Sequence, residues 1–370
     1  MTAVIVRRHD GLETNAMKDP FMSLSDMKGS FMALEPSPKV GGTLRKDSAM
    51  RAVQIASHDG PAAVAPVELA EPAGEGQVVI DVHAAGVTFP EVLQSRGLYQ
   101  LQPPLPFVPG SEVAGVVRTA PEHSAVRPGD RVAAFPGLGG FAEVVAADPR
   151  MVFALPDRLS FVQGAGVPMN VLTAHFALVR RGAVRSGETV LVHGAGGGVG
   201  TASIQLAKAL GARVVAVVSS DDKAAIARTA GADDVVPADG FKDAVAELTG
   251  GRGVDVVVDP VGGDRVTDSL RSLAPEGRLL VIGFAAGEIP IVKVNRLLLR
   301  NVSVVGVGWG PFWMPKPDYL AEQWRELLPL LNSGVLDPMV GATYPLDRAA
   351  DALVSMADRT AVGKLVLEVR

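Results

Sequence analysis

The sequence predicts an α/β protein in which a doubly wound parallel sheet is inserted into a β-rich unit built from both chain ends. Three observations carry this expectation. Between residues 189 and 307, apolar strand-like runs alternate with helical patterns, the texture of a parallel sheet with helical crossovers. From about residue 50 to 170, short alternating runs are broken by Pro/Gly turns, which suits an irregular all-β unit. After Val307 the chain passes through WGPFWMPKPDY and a leucine-rich helix over 320–332 to a closing strand, GKLVLEVR.

Taken in order, residues 1–49 mix charges, serines, prolines and glycines without strand or helix periodicity. Met17, Met22, Met27 and Met32 recur every five residues, a step that makes no apolar helix face. The segment reads as a flexible N-terminal extension, with Met50 as the natural start of the fold. The β-rich unit follows in VVIDVHAAGV, SEVAGVV, PGDRVAAF and GGFAEVVAA, with no helix of ordinary length before FVQGAGVPMNVLTAHFALVRRG. In the α/β part, TVLVH, RVVAVV, DDVVP, DVVVD, LLVIGF and VSVVGV are the strands. Arg213–Val218 is apolar at every position after the first, as a strand buried on both faces requires. The expected division is 1–49 as extension, 50–170 with 311–370 as one discontinuous domain, and 171–310 as the inserted domain.

Bulk composition narrows the function. The chain has 370 residues, 48% hydrophobic and 20% charged, with a net charge of −5, and suits a folded globular protein. No long basic run is present, which argues against nucleic acid or an acidic membrane as partner. There is no cysteine, so disulfides, thiolate metal sites and a catalytic thiol are excluded. No apolar run reaches the about 20 residues needed to cross a bilayer. The opening MTAVIVRRHDGLE lacks a signal-peptide layout, and a cytoplasmic location is expected.

Residues 191–200, LVHGAGGGVG, carry the strongest chemical signal. A buried strand feeds this loop and a helix opens after it, the context that a dinucleotide fingerprint needs. Written against G-x-G-x-x-G, the loop is Ala195-Gly196-Gly197-Gly198-Val199-Gly200, with alanine at the first glycine position. Gly197 lets a pyrophosphate approach bare backbone, and Gly200 lets the helix pack on the strand. The helix N-terminus offers unpaired N–H groups and the positive end of its dipole. Val199, Ala202, Leu206 and Leu210 fall on one face, toward the sheet.

The second strand decides which dinucleotide. NAD sites place an acid at its end for the ribose hydroxyls; here that place holds Val218, followed by Ser219, Ser220 and, after two aspartates, Lys223. Hydroxyls with an ammonium suit a 2′-phosphate. Asp221 and Asp222 are expected to point outward in the first turn of the next helix, where acids are favoured. The expected cofactor is NADPH.

The segments AAGVTFPEVLQSRGLY, PFVPGSEVAGVV, RPGDRVAAF, PMNVLTAHFAL, LVHGAGGGVG and VDPVGG together resemble the zinc-independent quinone oxidoreductases of the medium-chain dehydrogenase/reductase superfamily. The resemblance spans about residues 50–370. It implies a GroES-like β-rich catalytic domain with an inserted doubly wound (Rossmann) NADP-binding domain. Zinc-dependent relatives carry cysteine at the position of Thr88 and histidine at that of Ser111, so the resemblance implies no metal. Glu112, beside Ser111, reads as a structural carboxylate.

The resemblance further implies an NADPH-dependent reductase that transfers a hydride to a quinone or an α,β-unsaturated carbonyl compound (an enone), with the acceptor near Thr88 and Tyr99. Many members have asparagine at Thr88 and tyrosine at Leu93, so this chain keeps only Tyr99 of that polar set. Tyr99 is either a hydrogen-bond donor to the acceptor or a packing residue. Asn170 and Thr173 resemble positions lining the nicotinamide side, with helix packing as the alternative. Arg359 is a second candidate cation beside Lys223. Trp309, Phe312 and Trp313 either wall an aromatic pocket or plug the domain junction. His193 reads as structural. VSVVGVG (302–308) looks like an open edge strand, and by resemblance to relatives it is expected to pair with a second subunit in a homodimer. Two alternatives stand beside the quinone reductase: a reductase of enoyl thioesters or other activated double bonds, and an NADPH-binding protein without significant turnover.

Overall fold

The computed structural model describes residues 49–370. The N-terminal extension expected over 1–49 therefore lies outside the described residues, apart from Ala49, which opens the strand Ala49–Gln54. Among the described residues no helix is long and apolar enough to cross a membrane.

The central part of the chain forms a six-stranded parallel sheet. Its strands lie in the spatial order Asp234–Pro237, Arg213–Val218, Thr189–Val192, Val254–Asp259, Leu273–Val281, Ser303–Gly306. The chain winds outward from Thr189–Val192 in one direction and then returns to wind outward in the other. That reversal opens a crevice at the strand ends, where ligands of such sheets bind. The glycine-rich loop leaves Thr189–Val192 at this point.

A seven-stranded sheet is assembled from the two chain ends. The strand Val78–Val87 pairs antiparallel with Glu112–Thr119 on one side and with the C-terminal strand Lys364–Glu368 on the other. Leu365 lies opposite Val87 and Glu368 opposite Ala84. The outermost strand Val340–Pro345 joins Lys364–Glu368 in parallel through the helix Ala349–Ala357.

Local structure departs from the pattern-based reading at several points. A seven-residue helix, Phe89–Ser95, sits where only strands are expected. Proline in its first turn, with Thr88 before it and Glu91 at the third position, gives a short capped turn that no apolar stripe announces. The apolar stretch around 161–182 is divided into Phe161–Gly164 and Asn170–His175, the latter continuing through a wider turn over Phe176–Arg181. The helix Gly198–Ala209 is expected to show one apolar face to the sheet. Instead residues Gly200 to Ala207 are all buried, because the helix Asn170–His175 covers the side away from the sheet.

One hydrophobic core joins the two sheets. Ala84, Ala114, Phe135 and Phe153 of the β-rich unit pack in the same cluster as Val190, Val192, Ile204 and Val256 of the parallel sheet. A buried ion pair reinforces the junction. Lys364, 4% exposed, donates from Nζ to Glu112, which is fully buried, and to the Val87 carbonyl at 2.8 Å. The second oxygen of Glu112 accepts the Met169 N–H at 2.6 Å, just before the helix Asn170–His175.

Removing one partner of such a pair strands a buried charge. Lys364→Met is expected to lower unfolding free energy by about 3–5 kcal/mol, and Lys364→Met with Glu112→Gln to recover part of that. Denaturant unfolding of the three proteins checks it; equal stability of Lys364→Met and wild type would refute the central role of the pair.

Candidate active site

The loop after Thr189–Val192 turns through Gly194, whose φ of +58° is a left-handed conformation that side chains disfavour. Gly197 precedes the helix Gly198–Ala209 with no side-chain cap, so the N–H groups of the first turn remain available to a ligand. The glycines serve different contacts. A Cβ on Gly200 would meet the Gly194 carbonyl oxygen at 2.2 Å and Ala195 Cα at 2.7 Å, so the helix end is pressed onto the strand end. A Cβ on Gly196 would strike the Lys223 stem at 2.6 Å, and one on Gly198 would strike Asn170 Nδ2 at 2.3 Å. At Gly197 the nearest atom is the Gly194 oxygen, at 3.4 Å. Gly197 alone of this group has room for a Cβ, at ordinary van der Waals distance.

Ala195 is buried beneath the loop and Val199 is half-buried. Asn170 and Thr173 are both buried on the helix facing the loop, at 7% and 8% exposure. The loop is also held from the far end of the chain: the Gly363 N–H donates to the Gly196 carbonyl at 2.6 Å. Gly363 directly precedes Lys364, so the ion pair at the domain junction and the glycine loop share one backbone segment.

At the end of the second strand, Lys223 Nζ donates to Ser219 Oγ at 3.2 Å and to the Arg359 carbonyl at 2.7 Å. An ammonium has three donors, so one remains for a ligand. Burial and the nearby Arg359 guanidinium lower its pKa from the usual lysine value. Ser220 has a different task from Ser219: it precedes the helix Asp221–Thr229, and its Oγ accepts the Lys223 N–H at 3.4 Å. Its hydroxyl orders the turn that presents Lys223. Asp221 and Asp222 are exposed in the first turn. The Arg359 side chain donates to the Ala285 and Ala286 carbonyls at 3.4 and 3.0 Å, so its guanidinium braces a neighbouring loop.

Thr88 and Ser111 meet over a carboxylate that the sequence reading passed by. Glu91, 1% exposed, accepts the Thr88 N–H at 2.7 Å and the Thr88 hydroxyl on Oε2. Its Oε1 accepts the Ser111 N–H at 3.1 Å and the Ser111 hydroxyl at 2.8 Å. Burial pushes this carboxyl above the ordinary range, while the donated hydrogen bonds and Lys364 oppose the shift. The signal was present as the T-x-x-E of a helix capping box in TFPE. Tyr99 is half-buried nearby; burial and the field of Glu91 raise its phenol pKa. The two clusters connect through adjacent residues, since Ser111 precedes Glu112, Glu112 holds Met169, and Asn170 packs on Gly198.

The remaining candidates are structural in their contacts. Trp309 and Trp313 are 6% and 5% exposed and pack edge-on against Phe135. Trp309 Nε1 donates to Gln323 Oε1 at 2.9 Å, and Gln323 in turn donates to the Leu172 carbonyl at 3.0 Å. They fill the junction between the sheets. Phe312 lies against Phe176 and Tyr319, under Arg180. His193 is fully buried, 2.8 Å from Ser269 Oγ, with its pKa pushed down to about 3 by burial and Arg265; it is neutral at physiological pH.

Among the described residues no group of three or more His, Asp or Glu side chains converges as a metal site would require. A dinucleotide, by contrast, fits the residues present. The uncapped helix end and the unobstructed backbone of Gly197 match a pyrophosphate, and Ser219 with the third N–H of Lys223 matches a 2′-phosphate.

The chain is similar to known oxidoreductases. Residues 74–157 match the model of the alcohol dehydrogenase GroES-like domain, and residues 198–333 that of the zinc-binding dehydrogenase family. Quinone oxidoreductase-like protein 2 of Bos taurus is 38% identical over 298 residues, 80% of this chain and 85% of that protein. A probable oxidoreductase from Mycobacterium abscessus superposes with a TM-score of 0.80 at 47% identity, covering 87% of this chain and 99% of that one. The Escherichia coli quinone oxidoreductase complexed with NADPH gives 0.78 at 30% identity, covering 86% and 100%.

The glycine contacts separate packing from binding. Gly200→Ala is expected to destabilise by about 2 kcal/mol or more, because its new methyl meets only backbone. Gly197→Ala should change stability by less than about 0.5 kcal/mol. Thermal or denaturant unfolding of both variants checks the contrast, which fails if the two shift alike.

Proposed function

This chain belongs to the quinone oxidoreductases of the medium-chain dehydrogenase/reductase superfamily, and we propose that it reduces quinones or α,β-unsaturated carbonyl compounds with NADPH, without a metal. It is an oxidoreductase with a GroES-like domain and a Rossmann-type cofactor domain. The observation that carries the cofactor assignment is the pairing of an uncapped, glycine-lined helix start with Ser219 and Lys223, where an NAD site would have an acid in place of Val218.

When bound, NADPH supplies the hydride. The chain's own residues position and screen the reaction. Gly197 and the helix N-terminus take the pyrophosphate, Lys223 and Ser219 take the 2′-phosphate, and Asn170 and Thr173 border the nicotinamide side. Thr88 and Tyr99 are assigned to the acceptor. With threonine and serine in the two ligand positions and no cysteine in the chain, these residues lack the thiolate and imidazole that zinc prefers. An acceptor that is already electron-poor needs no Lewis acid, only a donor aimed at the oxygen where charge develops.

The catalytic unit is assigned to 50–170 and 311–370, and the cofactor unit to 171–310. A homodimer through the edge strand is part of the same reading. Among the described residues Ser303–Gly306 pairs on one side only, and in the segment that precedes it Ile291, Val294, Leu298 and Leu299 are 88%, 75%, 77% and 77% exposed. An apolar patch next to an open strand edge favours a second copy.

Three measurements test this reading. Purified protein is expected to oxidise NADPH with 1,4-quinones or enones; preference for enoyl thioesters would redirect the substrate class, and binding without turnover of any acceptor would refute the enzyme reading. Lys223→Ala should weaken NADPH by roughly 10- to 100-fold, the worth of about 1.5–3 kcal/mol for a charged hydrogen bond, and leave NADH affinity unchanged. An equal loss for both cofactors would contradict the phosphate pocket. Leu298→Glu with Ile291→Glu should convert a dimer to monomer in sedimentation or scattering measurements.

A further inference from the structure

Glu91 is the one buried carboxylate near the acceptor residues that has no cationic hydrogen-bond partner among the described residues. Its neighbour in space, Glu112, is neutralised by Lys364. All the hydrogen bonds Glu91 receives come from neutral groups: two backbone N–H groups and the hydroxyls of Thr88 and Ser111. Those two residues are 5% and 6% exposed. They stand in the two positions that metal ligands occupy in zinc-dependent relatives.

A hydroxyl has one hydrogen and two lone pairs. An ionised carboxylate only accepts, so each hydroxyl that bonds to Glu91 must spend its hydrogen there. What Thr88 and Ser111 then show to anything else is lone-pair density. An oxygen gaining negative charge requires the opposite, a donated hydrogen. Tyr99 is half-buried, carries a phenol, and makes no side-chain hydrogen bond among the described residues. Its hydrogen is uncommitted.

We propose that Glu91 is a positioning residue that fixes the direction of the Thr88 and Ser111 hydroxyls, turning them into acceptors and leaving Tyr99 as the donor to the acceptor oxygen. This rests on the reductase reading above. The step balances simply: the substrate gains an electron pair with the hydride, the resulting oxyanion takes the Tyr99 proton, and water returns a proton to the phenolate. Thr88 accepts hydrogen bonds from the substrate or cofactor and so contributes to binding.

The test compares Tyr99→Phe, Thr88→Val, Glu91→Gln and the double variant Glu91→Gln/Tyr99→Phe in steady-state reduction of a 1,4-quinone. Tyr99→Phe should lower kcat by roughly 100-fold, whereas Thr88→Val should act mainly by raising the acceptor KM. Glutamine carries an NH₂ in place of one oxygen; that NH₂ donates to one hydroxyl and frees its hydrogen, while the backbone N–H that shared the oxygen loses its acceptor, a cost to stability. The double variant should therefore turn over about tenfold faster than Tyr99→Phe alone, recovering part of the donor stabilisation. A structural role alone would lower the melting temperature without this rescue. Loss of kcat on Thr88→Val equal to that of Tyr99→Phe, or simple additivity in the double variant, overturns the proposal. If Glu91→Gln does not fold, the split between Thr88→Val and Tyr99→Phe decides.

If the wild type reduces no acceptor, the functional reading fails, and infrared difference spectra still decide the role of Glu91. The band lost between wild type and Glu91→Gln at neutral pH should be that of a carboxylate. A protonated-carboxyl band would overturn the proposal, since Glu91 would then donate to a hydroxyl instead of accepting from both.

Discussion

The arrangement depends on one buried ion pair. Lys364 and Glu112 are 252 residues apart in sequence, and each reaches beyond the other. Glu112 fixes the Met169 N–H, and so the start of the helix that covers the glycine loop. Lys364 anchors the C-terminal strand at the Val87 carbonyl, and the preceding Gly363 holds the Gly196 carbonyl. A charge that deep must be matched or the fold pays heavily. The same requirement therefore brings the two chain ends together and sets the cofactor loop against them.

That constraint explains why the cofactor cleft is stiff where it is. Three of the four loop glycines from Gly196 to Gly200 considered above are fixed by intramolecular contact, with Lys223, Asn170 and the Gly194 carbonyl as the respective neighbours. Only Gly197 would admit a Cβ without a clash. A glycine loop held in this way is preformed, and a preformed loop spares the ordering cost that a flexible one incurs on binding. Ser220 contributes at one remove by capping the helix that carries Lys223.

The acceptor side follows a different logic. Two glutamates stand close together, yet one is silenced by a lysine and the other is surrounded by neutral donors. Glu112 holds the frame. Glu91 shapes the hydrogen-bonding character of its surroundings, and the Thr88 and Ser111 hydroxyls are oriented by it.

The sequence alone settled what depends on residues a few positions apart. The strand–loop–helix around LVHGAGGGVG, the missing acid at Val218 and the lysine five residues on are local patterns, and they pointed to NADPH as the cofactor. The absence of cysteine likewise needed no coordinates. Glu91 was half legible, as a capping box in TFPE, but its second pair of hydrogen bonds comes from Ser111, twenty residues away. Which tryptophans are buried, which serine caps the helix and which meets the Lys223 ammonium, and which way the Thr88 hydroxyl points were decided by tertiary structure. These properties arise where distant segments share a volume, and periodicity along one segment carries no information about the partner that fills it. The pairing of Lys364 with Glu112 is the clearest case: Glu112 reads as a structural carboxylate, but its partner Lys364 reads as an ordinary charged side chain until the fold buries both.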